Sequence, residues 1–382
     1  MLKTLLATTA TLVLSGAASA EVLKIGLANP MTGDYAPYGE GNGAACMAEI
    51  INETAAAGDV TVEIMMEDSR SDPQLTLSLA QKYLDAGAVI VHGTPFPDSL
   101  IPMAAMAQGY GAIVYSPQIT QVEMHEAGLT NFTAGVAPDD VGASAMASTV
   151  YAKGARNAVL MTSEDAGSWT AGTPVWFGEA FEALGGKVMA KLNHSIGTSD
   201  WSPQVTEIMA MSPVPDVVHI CSIVPDVGIL ARQLVSAGYA GLVVGCDGFD
   251  DPSLEATAGS PEVLSHIMFA THVPVLPDSE AAKFVQTCKD RGYSVNGIFD
   301  ALGGDMVRIL VEAASDAGTT TDGMAIQTAL RARASFDLMT GGSLSFTEKG
   351  TWPIRAVPII GFEDGKRVLV SYDTPSFLPH TK

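Results

Sequence analysis

The sequence predicts an α/β protein built from two doubly wound lobes. Three observations predict it. Apolar strands alternate with amphipathic helices along most of the chain. The alternation comes in two series that break near residue 140, and a length of 382 residues suits about two domains. Continuous apolar strands of this kind belong to parallel sheets covered on both faces by helices. A β-rich end after the alternation implies that the chain passes between the lobes more than once.

The first element stands outside the fold. "MLKTLLATTATLVLSGAASA" has Lys3 as a positive start, an apolar core over 5–14 and a small-x-small end at 18–20. That is the pattern of a cleavable export signal over residues 1–20, with cleavage after Ala20. No cysteine follows the apolar core, so a lipid anchor is not expected. No later apolar stretch reaches membrane-spanning length. A soluble, exported chain of about 360 residues is expected, about two domains by length.

The first series opens with "VLKIGLAN" as a strand and a helix from about Gly43 to Asn52. "VTVEIMMED" is the second strand. "SDPQLTLSLAQKYLDAG" is a punctuated helix: Asp72 can cap it, Pro73 suits its first turn and Gly87 its exit. Leu75, Leu79 and Tyr83 give it one apolar face. "AVIVHG", "DSLIPMAAMAQGYG" and "AIVYS" repeat the theme. The second series runs from "VGASAMASTVYAKGA" through the strands "NAVLMTS", "KVMAKLNHS", "VVHICS" and "LVVGCDG", with helices between them. Two further helices precede "GGSLSFTEKGTWPIRAVPIIGFEDGKRVLVSY". That stretch reads as antiparallel strands turning at "TEKG" and "EDGK", the latter with an Asp-Gly hairpin signal.

Composition excludes several functions. Twenty basic side chains against 42 acidic ones give a net charge of −22, one unit more negative once Lys3 leaves with the leader. This argues against nucleic acid or an anionic membrane as partner. The four cysteines, Cys46, Cys221, Cys246 and Cys288, are too few for a disulfide framework. Export permits pairing. Cys221 and Cys246 each end a strand and could be neighbours; buried free thiols fit all four equally. The seven histidines are scattered without ligand spacing, so no structural metal is expected, and His219 within a strand reads as a core residue. "GEGNGA" at 39–44 fits a dinucleotide fingerprint. Its glycines, however, come ten residues after the strand rather than directly on it, so no nucleotide cofactor is implied. There is no phosphate loop, no nucleophile elbow and no nucleophile with a recognisable base, so an enzyme is not expected. Asp68 and Asp72 read as capping and solvating acids.

What remains is loops at the C-terminal ends of strands, where open α/β sheets bind ligands. They lie at 30–42, 93–99, 116–120, 163–170, 222–226 and 246–251. "TQVE", Thr120 to Glu123, has the form of a capping box, and a helix start there could hold a ligand carboxylate. Trp169, in a polar loop, either anchors that loop or covers an apolar or cationic moiety. Asp247, just after an apolar strand, could receive an ammonium group or cap a helix from Pro252, which Asp250 and Asp251 serve better.

These stretches carry a resemblance. "KIGLANPMTGDYAPYGEGNGAACMAEIIN", "EDSRSDPQ", "YSPQITQVEM", "LARQLVSAGY", "GCDG" and "GSLSFTEKGTWP" together resemble the solute-binding proteins of branched-chain amino acid ABC transporters. These are type 1 periplasmic binding proteins of the leucine/isoleucine/valine-binding kind. The resemblance covers essentially all of the chain after the leader. It implies two α/β lobes joined by a three-strand hinge, with a ligand cleft between them. Crossovers are then expected near 137–140, 272–277 and 345–350. The lobes become 21–138 with 275–346, and 139–274 with 347–382.

By the same resemblance, Tyr38 matches the tyrosine of the first loop. Thr120 matches the threonine that binds amino-acid carboxylate and amine, with Gln118 and Ile119 at adjoining backbone contacts. Trp169 falls where the family often has tyrosine, and Asp247 where it has an acid that pairs with the ligand ammonium. Pro97 replaces a carboxylate-binding serine, with Asp98 and Ser99 adjacent, and Ile223 replaces a common tyrosine. Ser71 and Phe96 occupy the places of a first-lobe disulfide. Asp247 favours a ligand with an amine. Asp98 would repel a simple acid unless it points away, which opens the site to an amide, a larger amino acid or an aromatic compound.

The function implied is the periplasmic component of an importer. It would capture a small amino acid or related solute, without cofactor or metal, and serve an ABC permease and ATPase at the inner membrane as a monomer. The alternative is a binding protein that senses an amide or aromatic acid for a receptor or regulator.

Overall fold

The structure, a computed structural model, describes residues 21–375 except 274, 296 and 347–351. The expected leader, the "TEKG" turn at 347–350 and His380 lie outside the described residues. Among those described, no helix is long and apolar enough to cross a membrane.

The first series folds as five parallel strands: β1 (Glu21–Asn29), β2 (Val60–Asp68), β3 (Ile90–Gly93), β4 (Ile113–Ser116) and β5 (Phe132–Ala134). Their order is β2-β1-β3-β4-β5. The second series supplies β6 (Asn157–Thr162), β7 (Lys187–Asn193), β8 (Val217–Ile220), β9 (Leu242–Gly245) and β10 (Ile267–Ala270). These repeat the same order, β7-β6-β8-β9-β10. A small sheet of β11 (Phe336–Asp337), β12 (Ser343–Phe346) and β13 (Pro353–Ile354) follows. Last comes the hairpin β14 (Val357–Glu363) and β15 (Lys366–Asp373), which extends the second sheet antiparallel beside β10. Asp364 and Gly365 turn it at φ 50° and 75°, the left-handed pair a two-residue hairpin needs.

Both sheets bury apolar side chains on each face, because helices cover both. On the first sheet, Leu23, Ile25 and Leu27 pack against helices Gly41–Thr54, Glu280–Asp290 and Ile298–Ala317, while Val91 and Val114 face helices Pro73–Asp85 and Pro97–Gln108. Asp72 caps its helix, its carboxylate accepting the Leu75 N–H at 2.8 Å, and Gly87 follows the helix at φ 89°. The "GEGNGA" glycines lie at a helix start rather than in a phosphate loop. A Cβ on Gly43 would stand 1.8 Å from the Asp300 carbonyl oxygen, and one on Gly303 2.2 Å from that of Glu40. Those glycines let helices Gly41–Thr54 and Ile298–Ala317 touch backbone to backbone.

The chain passes between the two cores three times. It leaves β5 for helix Asp139–Ala152, leaves β10 for helix Glu280–Asp290, and leaves β13 for β14. The third passage falls later than the expected 345–350. Trp352 is still buried in the first core and β13 still pairs with β12, so the change of side comes at 353–356.

All four cysteines are paired, so the free-thiol reading does not hold. Cys221 joins Cys246 between the ends of β8 and β9. Cys46 joins Cys288, linking helices Gly41–Thr54 and Glu280–Asp290 across 242 residues of sequence. His219 is the expected core residue. It is buried and stacked on Phe177 with ring centroids 4.3 Å apart, and burial pushes its pKa down to about 3, leaving it neutral.

Candidate functional site

In each sheet the strand order reverses direction once, between β1 and β3 and between β6 and β8. Crevices open outside the strand ends at such points. The loops leaving both reversals face one another across a cleft of about 550 Å³. Each of the six strand-end loops expected from the sequence contributes to its wall. So do Ser195 and Ile196 after β7 and Phe299 from a later helix.

The first-lobe wall is held by polar anchors. Asp68, at the end of β2, accepts the N–H groups of Met31 and Thr32 at 3.0 and 3.1 Å and that of Arg70 at 2.8 Å. It therefore organises the loop after β1 rather than merely solvating a strand end. Burial pushes its carboxyl up, but these bonds and the Thr32 hydroxyl outweigh that and hold it below the usual range. Ser71 and Phe96 are joined through Tyr35. The Tyr35 N–H donates to Ser71 Oγ at 3.0 Å, and its ring lies 4.4 Å from that of Phe96. Gln118 donates through Nε2 to the Tyr38 carbonyl at 2.9 Å and to Glu40 Oε2 at 2.6 Å. Behind it, His92 Nε2 lies 3.1 Å from Glu40 Oε1, both side chains fully buried.

The second-lobe wall centres on Trp169 and Asp247. Trp169 Nε1 donates to Asp247 Oδ1 at 2.9 Å, and its ring lies so close to Gly248 that a Cβ there would meet it at 2.7 Å. The Cys221–Cys246 disulfide, Ile196 and Ile223 pack around the indole. His272 Nε2 lies 3.1 Å from Asp247 Oδ2. Burial pushes the Asp247 carboxyl up, but His272 and Trp169 outweigh it and hold the pKa below the ordinary value. A buried carboxylate so held remains charged and faces the cleft. A smaller cavity of about 30 Å³ lies behind it, lined by Asp139, Thr173, His219 and His272 among others.

Six of the ten expected site residues line the cleft: Tyr38, Gln118, Thr120, Trp169, Ile223 and Asp247. Four do not. Ile119 is buried in the first core. Pro97 begins helix Pro97–Gln108, Asp98 is exposed, and Ser99 is buried beneath that helix, so Pro95 and Phe96 face the cleft instead. The capping box at Thr120 does not form. The helix there is a single turn, Glu123–Glu126, and no side chain caps it. Thr120 instead bonds Asp139, accepting its N–H at 2.9 Å and meeting its carboxyl through the hydroxyl. Asp250 does not cap either, being paired with Arg367 and Thr271, while Asp251 accepts the Ser253 N–H at 2.7 Å.

Sequence reasoning missed Asp34, Tyr35, Gln121, Asp165, Phe299 and His272. The first four lie in or beside loops already marked. Phe299 and His272 carried no local signal, since one begins a helix and the other sits in a crossover. Among the described residues one cluster has metal-ligating types, Cys221, Cys246 and Asp247, and its sulfurs are committed to a disulfide.

Comparison with known proteins adds an independent line. A family profile described as "Periplasmic binding protein" matches residues 22–366. The chain is similar to the Leu/Ile/Val-binding protein BraC3 of Rhizobium johnstonii, with 27% identity over 96% of this chain and 99% of that protein. Its fold is similar to a leucine binding protein from Thermotoga maritima (TM-score 0.76, 24% identity, 92% of this chain and 99% of that one). It is also similar to a solute binding protein from R. palustris in complex with 4-hydroxybenzoate (TM-score 0.78, 17% identity, 95% and 100%).

Proposed function

The chain belongs to the periplasmic binding protein family of ABC transporters, and from that premise we propose that it captures a small amino acid or amino-acid-like solute in the periplasm by closing its two lobes. Delivery would be to an ABC permease and its ATPase at the inner membrane, by a monomer that carries out no reaction. The lobes, 21–138 with 275–346 and Trp352, and 139–270 with 357–373, would move about the three passages between them.

One observation carries this reading: the cleft is walled from both lobes, and its mouth is bridged. Gln121 Nε2 donates to the Ala166 carbonyl at 3.1 Å, and Ser168 Oγ donates to Glu123. Contacts of this kind need the two walls close together, so a solute that touches both walls would favour a closed arrangement. The relatives' names speak of leucine, isoleucine and valine, and some solved neighbours hold aromatic acids. The aromatic lining suits an apolar body of either kind.

The test is a melting-temperature screen of amino acids, amides and aromatic acids, followed by small-angle scattering with each hit. A binder should raise the melting temperature and shrink the radius of gyration, and mass spectrometry should recover it unchanged. Chemical turnover of a bound compound would overturn the reading. The sensing alternative predicts that the liganded protein leaves ATP hydrolysis by a reconstituted importer unstimulated.

A further inference from the structure

Resting on the solute-capture reading, we infer that the cleft selects organic cations: solutes with an apolar or aromatic body and a charged nitrogen that no carboxylate offsets, such as amino-acid amides and primary amines. The charged side chains lining it are Asp34, Asp165 and Asp247, and among the described residues no lysine or arginine joins them. Arg355, on the third passage, opens on the small cavity behind and lies beside Asp305 and Tyr115 rather than the cleft acids.

The unpartnered groups have the same sense. Gln118 Oε1 and Gln121 Oε1 are buried acceptors with no partner, each residue only 4% exposed, and both residues line the cleft. Their orientations are set by Nε2, which donates to carbonyl or carboxylate oxygens in both cases. Acceptors buried without donors call for a ligand that brings N–H groups.

The loop after β3 is poorly equipped to receive a ligand carboxylate. It faces the cleft with Pro95, which has no N–H, and with Phe96. The Phe96 N–H is spent on Thr94 at 2.8 Å, and that of Ser99 on Phe96 at 3.1 Å. Asp98 already occupies the first turn of the helix that follows. Five aromatic rings, those of Tyr35, Tyr38, Phe96, Trp169 and Phe299, complete the wall and can face a cation as well as an apolar body. The field is felt by the tyrosines: burial raises Tyr35 and Tyr38, and neighbouring carboxylates raise both further.

Calorimetry on the purified chain at pH 7 decides this with five probes: leucine, leucinamide, 3-methylbutylamine, benzoate and 4-hydroxybenzoate. At that pH the α-amino group of leucinamide is largely protonated. Leucinamide and the amine should bind about tenfold or more tightly than leucine, and the two benzoates should not bind. Asp165→Asn and Asp34→Asn should each weaken the amine by about three- to tenfold and narrow the gap to leucine, as removing one nearby charge does. Leucine binding as tightly as leucinamide, or a benzoate binding as tightly as the amine, would overturn cation selection and leave solute capture standing. Binding by none of the five would overturn cation selection and leave solute capture to the melting-temperature screen.

Discussion

Asp247 carries more of the proposed binding than any other side chain, and its surroundings say how it would fail. Its two oxygens already face Trp169 and His272, so a ligand ammonium would arrive as a third partner on a carboxylate kept charged in spite of burial. Asp247→Ala should cost an amine-bearing solute about 3–5 kcal/mol, the usual loss on breaking a buried charge pair. Unchanged calorimetric affinity would remove Asp247 from the site. Asp139 is the opposite case. Burial, then the charge of Asp247, push its carboxyl well above the ordinary range although Thr120 bonds it. A carboxyl raised in the folded state costs stability as pH climbs above its unfolded value near 3.8, because the unfolded chain ionises first. Asp139→Asn should therefore raise the melting temperature at pH 8 by about 2–4 °C and leave it unchanged near pH 3. Equal shifts at both pH values would show that charge is not the cause. At this scale the sequence was legible where a residue follows an apolar strand, as Asp247 does. It was illegible where function depends on a distant partner, as with His272, or on which way a loop turns, as with Pro97, Asp98 and Ser99.

Among the elements, the two helices that meet at Gly43 and Gly303 fix how the loop after β1 reaches the cleft. Alanine is the better helix former by about 1 kcal/mol, so propensity alone favours Gly43→Ala. The Asp300 carbonyl oxygen, 1.8 Å from the added Cβ, opposes it, and neither backbone can yield without separating the helices. Overpacking should win, with a net loss of about 3 kcal/mol measured by urea unfolding. A neutral or stabilising result would mean the helices part easily. Elements were readable from sequence where their chemistry is local. Asp72, Pro73 and Gly87 bound one helix, and Asp364 with Gly365 turns the last hairpin. They were misread where local chemistry is shared. Thr120 and Glu123 have capping-box spacing, but Thr120 is taken by Asp139 and Glu123 reaches across to Ser168. Gly43 of "GEGNGA" serves helix contact, which depends on a helix more than 250 residues away.

For the molecule as a whole, repeated strand order explains why one cleft can be walled from two sides. Each sheet reverses once, and the reversals face each other. That symmetry was visible as two series of alternating elements. The Cys46–Cys288 link was not, because nothing local tells one helix that another will lie beside it. Closure can be probed without touching the ligand. Ser168 and Glu123 bond across the mouth but do not line the cleft, so under the proposed closure their contact would be lost when the lobes part. Losing it should lower the population of the closed form and hence the apparent affinity for every solute alike. A single hydrogen bond to a charged group is worth about 1.5–3 kcal/mol, part of which rehydration of the freed carboxylate recovers. Ser168→Ala should thus weaken binding by about tenfold, mostly through faster release, and the double variant with Glu123→Gln should be no worse than either alone. Stopped-flow recording of the intrinsic tryptophan fluorescence, to which Trp169 on the cleft wall contributes, would follow release. An unchanged rate in Ser168→Ala would mean the mouth contact does not hold the lobes together, and closure would have to rest on the solute itself.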